Sequence, residues 1–449
     1  MAEGKPKTMI RVFLILILDL IAFTVILPLL PSILDHYEAG SKDGNHDSLL
    51  ISTHKLMNWA KEKLNIPNIT KYNNVLIGGF LGSLFSLLQF VANPVFGCLS
   101  DISGRRKALI ISLLGTAFSY LVWLKSDSFT VFLVSRVIGG LTKGSVTICT
   151  SIMSDITTKE NRGKGMAMIG IAFAIGFTIG PSFGAYFVMK QQQQLSSLTT
   201  QPFYRAAMFS LVLQLLDVLL VILILDETKT VTGHVSLKAR LSSAMELANP
   251  CNLLKSCFMK ASDPALSMKS QLTLIHFVYL LLFSGLEFTL TFLTHQRFSF
   301  TSKQQGILFL YIGLVMMVVQ GGCTRRVKLG SEKRLTIMGI FSVILSMFVV
   351  AFSSSIFLLY VGLFLYSFGA ATVIPCLTTM FSHHSSDSES GEMVGVFRSA
   401  GALARAIGPA ITCFLYWTFG STICYCIGGF LFLIPLFMSS NLEVKDKQI

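Results

Sequence analysis

The sequence predicts an all-α polytopic membrane protein, with twelve transmembrane helices in two pseudo-symmetric six-helix bundles. Three observations carry that prediction. Apolar runs of about 18 or more residues recur along the 449-residue chain, each long enough to cross the hydrocarbon core as a helix. Charged residues are only 13% of the chain, about half the share of a soluble protein. A polar, basic loop at 226–271 separates six apolar runs from six. The runs contain many of the 35 glycines and lack strand-like alternation, which points away from a transmembrane barrel.

The spans are read at 9–34, 73–97, 108–124, 130–153, 166–188, 204–225, 272–294, 304–323, 335–352, 355–380, 395–418 and 421–439. Span one follows a short basic segment. It is too long for a signal peptide and ends without a small-residue cleavage site, so it is read as an uncleaved span. The outer loop 35–72 is polar and contains Asn68-Ile69-Thr70, the single N-x-S/T sequon, which makes Asn68 the predicted glycosylation site. Between spans two and three, the turn Gly97 to Lys107 gathers Asp101, Gly104, Arg105 and Arg106. Such a cluster cannot lie in hydrocarbon, and its cations mark a cytoplasmic face. In the central loop, Leu237, Leu241 and Met245 share one side of 235–247 with Lys238 and Arg240 opposite, the pattern of a helix lying in the inner interface. The predicted division is therefore 1–225, a cytoplasmic loop 226–271, and 272–449.

Charge distribution sets the orientation. Of 36 Lys and Arg, with Arg11 and Arg205 at span ends counted with the adjoining segments, 22 fall on the alternate segments that include both termini, ten on the other set and four deep inside spans. Both termini are therefore expected in the cytoplasm. The net charge of +13 reads as topology and contact with anionic lipid, not as nucleic-acid binding. None of the nine cysteines lies in the outer loop, so no disulfide framework is implied. No Cys/His set has zinc spacing, so no metal or cofactor is expected.

The halves echo one another. Gly176-x-x-x-Gly180-Pro181-x-x-Gly184 in span five returns as Gly408-Pro409 in span eleven, and the basic turn at 97–107 returns weakly at 322–334. Matched signatures at one offset indicate internal duplication, a frequent transporter plan.

Away from the span ends, seven charges lie within spans: Asp19, Arg136, Lys143, Asp217, Glu287, Arg398 and Arg405. Each opposes insertion by about 2.5–3.5 kcal/mol if left facing lipid, so they are expected to face one another or a wet cleft. Arg136 and Lys143 are seven apart, as are Arg398 and Arg405, which places each pair on one helix face. Asp19 and Glu287 occupy equivalent spans and are the expected proton-coupling acids, since desolvation and a nearby cation pull a carboxyl in opposite directions. The alternative is a static Asp19–Arg136 pair joining spans one and four. Lys143, Arg398 and Arg405 would line the substrate cleft, where four cations against three acids lean toward an anion. Arg398 could instead pair with Asp101 as a gate. Asp217 is read as structural. His276 and His295 are read as interfacial, and His383 and His384 as part of a solvated loop.

These residues resemble the major facilitator superfamily, specifically its drug:proton antiporters. Gly97 to Lys107 is similar to that family's G-x-L-x-D-x-x-G-R-R/K loop motif. Leu133-x-x-Arg136-x-x-Gly139-Gly140 resembles its fourth-span motif, with Gly139 where glutamine is usual. Gly176, Gly180, Pro181 and Gly184 match the fifth-span antiporter motif, with Ala185 in place of a second glycine. The resemblance implies the twelve-helix major facilitator fold and alternating access. It also implies a proton-transfer role for Arg136 and an inner latch built from Gly97, Asp101, Gly104, Arg105, Arg106 and Asp155. In that latch Asp101 faces span eleven and Arg105 reaches Asp155. The stretches Phe283–Phe298 and Arg398–Pro409 are similar to tetracycline-transporter-like members, which implies organic-anion export or exchange. The expected partners are small organic ions, with anions favoured, protons and membrane lipid, for a monomer. The expected location is the cell membrane, with an internal membrane such as the nuclear one as the alternative. No nucleotide-binding glycine loop or catalytic set is present, so neither an ATP-driven pump nor an enzyme is indicated. A passive facilitator, an anion exchanger without proton coupling, and a non-transporting sensor are the competing readings.

Overall fold

A computed structural model describes residues 4–42, 47–64, 72–157, 162–193, 203–228, 249, 264–324, 331–383 and 390–442. Every regular element among them is helical. Asn68, the segment 235–247, the pair Arg325–Arg326 and the side chains of Arg398, His383 and His384 lie outside the described residues.

The first half contains α1 (Gly4–Thr24), α2 (Leu30–Lys42), α3 (Ser48–Leu64), α4 (Asn73–Ser103), α5 (Arg105–Leu124), α6 (Phe129–Thr142), α7 (Ser145–Ile156), α8 (Arg162–Gln193) and α9 (Tyr204–Ile224). The second contains α10 (Pro264–Phe298), α11 (Ser302–Gly322), α12 (Glu332–Ala351), α13 (Ile356–His383), α14 (Ser390–Leu431) and α15 (Leu433–Ser440). Among the described residues, eleven helical stretches are long and apolar enough to cross a membrane. The last of them, Ser399–Ser440, is divided by Gly420 at φ 79°, which yields the twelfth crossing.

Three elements differ from the sequence reading. Span one bends at a 3-10 turn, Leu27–Leu29, because Pro28 removes an amide where α1 ends. Span four is two helices, α6 and α7, broken at Lys143–Gly144. The segment 35–72 is not simply irregular: α3 occupies its middle. The Asp47 carboxylate accepts from the Leu49 and Leu50 amides at its start, and from the Thr130 amide and hydroxyl at 2.8 and 2.7 Å. That side chain caps α3 and the first turn of α6 together, a tertiary contact no local pattern announces.

The described chain forms two compact units. The first contains Met1–Thr70, Leu84–Glu246 and Ser299–Leu310; the second contains Lys71–Ser83, Leu247–Phe298 and Tyr311–Ile449. Each is thus mainly one half of the sequence, with short ends of α4 and α11 exchanged.

In the first unit, Val12, Ile15, Leu16 and Leu20 of α1 pack with Leu113 of α5, Ile148 and Ile152 of α7, Ala172 of α8 and Val221 of α9. Gly176, Gly180 and Gly184 bring α8 onto α1: a methyl added at each would meet Leu20, Thr24 and Val25 respectively. Thr24 Oγ1 donates across this seam to the Gly176 carbonyl at 2.8 Å. In the second unit, Gly408 of α14 abuts Leu281 and Ser284 of α10, so span eleven meets span seven as span five meets span one. A second correspondence is finer. Ser119 of α5 donates to the Ser135 carbonyl and Ser346 of α12 to the Gly362 carbonyl, both across 16 residues. Arg297 ties α10 to α12 and to the Gly420 bend. It donates to the carbonyls of Val350 and Ala351 at 3.1 and 2.8 Å, and to the hydroxyls of Ser421 and Thr422 at 2.8 and 2.9 Å.

Candidate functional site

The break in span four organises the site. Ser112 Oγ donates to the Thr142 carbonyl at 2.7 Å and accepts from the Gly144 amide at 3.0 Å, holding both sides of the interruption. A side chain at Gly144 would run into the Phe96 ring. Lys143 therefore leaves the helix with ψ 71°, and its ammonium reaches Asp19 Oδ1 at 2.6 Å. Ser145, the first residue of α7, donates to Asp19 Oδ2 at 2.7 Å, and the Gln214 amide to Oδ1 at 3.3 Å. Asp19 and Lys143 are 0% and 2% exposed. The ammonium also lies 5.1 Å from the centre of the Phe23 ring. A buried pair stands only when its remaining lone pairs are satisfied, and this carboxylate has three donors.

Asp19 thus takes Lys143, not Arg136. The seven-residue spacing does not give one continuous face, because the helix carrying Arg136 ends at Thr142. Arg136 is instead boxed by aromatics, its guanidinium carbon 5.2 Å from the Trp123 ring centre and 5.4 Å from that of Phe132. Its Nε donates to Ser135 at 3.2 Å, and one terminal nitrogen has no hydrogen-bond partner among the described residues. No carboxylate of the described residues lies within 4.0 Å of it.

In the second unit, Glu287 is half-buried on α10, with Arg405 and Tyr366 as its electrostatic neighbours. Arg405 on α14 is exposed. Tyr279, Phe283 and Tyr366 stack in a ladder beside them, with ring centres 5.4 and 4.8 Å apart. His276 is buried against Phe397 at 4.1 Å, a packed position and not an interfacial one.

At the 97–107 turn, Gly104 has φ 94°, a conformation L side chains avoid. Arg105 is buried and bridges Asp101 and Asp155, each at 2.8 Å, while donating to Ser100 Oγ at 2.6 Å. Glu227, just after α9, accepts from the Arg105 and Arg106 amides at 2.8 and 3.1 Å and so caps the positive end of α5. Arg106 donates to the Ile222 carbonyl. Neighbouring Asp226 pairs with Arg11 at 2.7 Å. Sequence reasoning missed Ser145, Gln214, Asp226 and Glu227. Gln214 was detectable as a polar residue in an apolar span, whereas the two acids look like ordinary loop charge.

Known proteins share this architecture. Residues 12–409 match the Major Facilitator Superfamily model. The chain is 40% identical over 441 residues to major facilitator superfamily domain-containing protein 10 of Bos taurus, covering 96% of this chain and 92% of the bovine protein. The crystal structure of the human organic anion transporter MFSD10 (TETRAN) is similar at a TM-score of 0.76 and 38% identity, covering 97% of this chain and 99% of that one. Tetracycline resistance protein, class E, of Escherichia coli is 24% identical over 419 residues, covering 91% of this chain and 88% of that protein. The chain belongs to the Major Facilitator Superfamily, a family of multi-pass membrane transporters and not of enzymes.

Proposed function

We propose that this protein is a secondary transporter that exchanges organic anions for protons by alternating access, with both termini cytoplasmic. The observation that carries the reading is the buried Asp19–Lys143 pair at the break in span four. A discontinuous helix at mid-membrane is where many transporters hold substrate and coupling ion. Here the ammonium has a carboxylate partner, so an anion that draws Lys143 away leaves Asp19 uncompensated and ready to take a proton. Arg136, a cation with an unmet donor, and the exposed Arg405 supply further attraction for an anion. The similarity to a human protein described as an organic anion transporter supports the same substrate class. Glu287 beside Arg405 is the corresponding acid of the second half. The Asp101–Arg105–Asp155 network serves as the cytoplasmic latch, and Asn68 as the glycan site of the outer loop.

The test is proton movement in proteoliposomes holding a trapped pH dye, with a panel of organic anions and cations added. Anion-triggered proton flux in the wild type, lost in Asp19→Asn, is the expected result. Anion exchange that continues in both proteins without proton movement would assign an anion exchanger and reduce Asp19 to a structural partner of Lys143. The three donors already on Asp19 are the observation that favours this second reading.

A further inference from the structure

One face of α9 carries Ser210, Gln214 and Asp217, spaced as a single stripe on an otherwise apolar helix. All three are 0% exposed. Ser210 Oγ, Gln214 Oε1 and both carboxyl oxygens of Asp217 have no hydrogen-bond partner among the described residues, while the opposite face bears exposed Val212, Leu215, Leu219 and Leu223. Four unpaired buried oxygens on one helix face are not a packing device, because a buried polar group left without a partner is destabilising. They mark a place where something polar binds.

The surrounding charges say what. Asp19 of α1, Lys143 of the α6–α7 break and the Cys149 thiol of α7 are the electrostatic neighbours of Asp217, and Gln214, one turn before it, donates to Asp19 at 3.3 Å. Tyr120 of α5 is an electrostatic neighbour of Asp19, and Ile169 and Ala172 of α8 belong to the core packed around these helices. There are thus two carboxyls for one ammonium, and Lys143 is held by Asp19 at 2.6 Å. Among the described residues, Asp217 has no cation within 4.0 Å. An isolated carboxylate in such a place neutralises instead of remaining charged.

We propose that Asp217 is a proton-binding site, and that Asp19 and Asp217 share Lys143 in alternation. With Lys143 on Asp19, one proton resides on Asp217. When the ammonium moves to Asp217 it replaces that proton, which leaves toward Gln214 and Ser210, and Asp19, now without its cation, binds the next one. The trio is neutral and holds one proton in either arrangement, but on different helices. This rests on the exchange reading above and assigns its proton to a residue the sequence alone marks as structural.

Infrared difference spectroscopy of the purified full chain in lipid at neutral pH tests the assignment without requiring transport. Asp217→Asn, a shape-matched mimic of the protonated acid, should lose one protonated-carboxyl band relative to the wild type. Lys143→Met, which leaves both acids without a cation, should gain one. Asp19→Asn should also lose the band, because Lys143 is then free to ionise Asp217. An unchanged band in Asp217→Asn overturns the proposal, as does the absence of a gain in Lys143→Met should the first variant fold poorly. In proteoliposomes, Asp217→Asn should exchange labelled anion without a gradient yet lose pH-driven accumulation, with Asp217→Glu restoring a shifted pH profile. Wild-type protein that moves no protons with any anion, yet gives the Asp217 band, would refute the exchange reading and not the proton site.

Discussion

At the scale of the residue, Lys143 and Asp19 show how burial turns a weak surface interaction into an obligatory one. Removing one partner of such a pair strands a charge, which typically costs about 3–5 kcal/mol, whereas removing both can be nearly neutral. Lys143→Met should therefore lower the thermal midpoint of the purified protein markedly, and adding Asp19→Asn to it should restore most of the loss. Equal, additive losses would argue against direct coupling. A backbone constraint acts at Gly104, where φ 94° and the nearby Glu227 carboxylate leave no room for a methyl. Gly104→Ala should cost about 1–3 kcal/mol, measured by thermal denaturation. That Asp19 matters was legible in the sequence, since a carboxylate in an apolar span demands a partner. Which cation meets it was not, because the choice depends on where span four breaks.

At the scale of the element, the contact of α8 with α1 depends on absent side chains. Gly180→Ala would push against Thr24 and the Ile21 carbonyl, so a loss of about 1–3 kcal/mol is expected from overpacking. Gly170→Ala, on the same helix with open space around it, is the control and should be neutral or slightly stabilising. The four-residue glycine spacing makes this seam legible in the chain itself. The docking of α3 is not legible there, since it hangs on one aspartate. Burial raises the Asp47 carboxyl, but hydrogen bonds from the Thr130 side chain and amide and from the Leu50 and Leu49 amides outweigh it and leave it below its ordinary value of 3.8. A folded-state value below the unfolded one gives stability that is present above the unfolded value and lost as pH falls through the folded one. Amide exchange in α3 should accelerate as pH drops below about 4, and Asp47→Asn should abolish that dependence.

At the scale of the whole molecule, internal duplication is written into paired contacts. Gly180 and Gly408 each seat one helix on another, and Ser119 and Ser346 each close the same 16-residue link. The proposed orientation has its own check: a glycosidase-sensitive mobility shift lost in Asn68→Gln, together with protection of both termini from protease in sealed cells. A protease-accessible terminus would reverse the topology.

Sequence by itself determined the number of crossings, the helical class, the acids and cations that must find partners, and the glycine seam. It could do so because hydrocarbon imposes length, apolarity and charge placement on each span independently. Only the tertiary structure decided that span four breaks at Lys143, that Asp19 takes Lys143 and leaves Arg136 among aromatics, and that Glu227 caps α5. The break and the Asp19 pairing involve Ser112, Phe96 and Gln214, and the cap involves Glu227, side chains remote in the chain whose hydrogen bonds and bulk act only once the helices have packed.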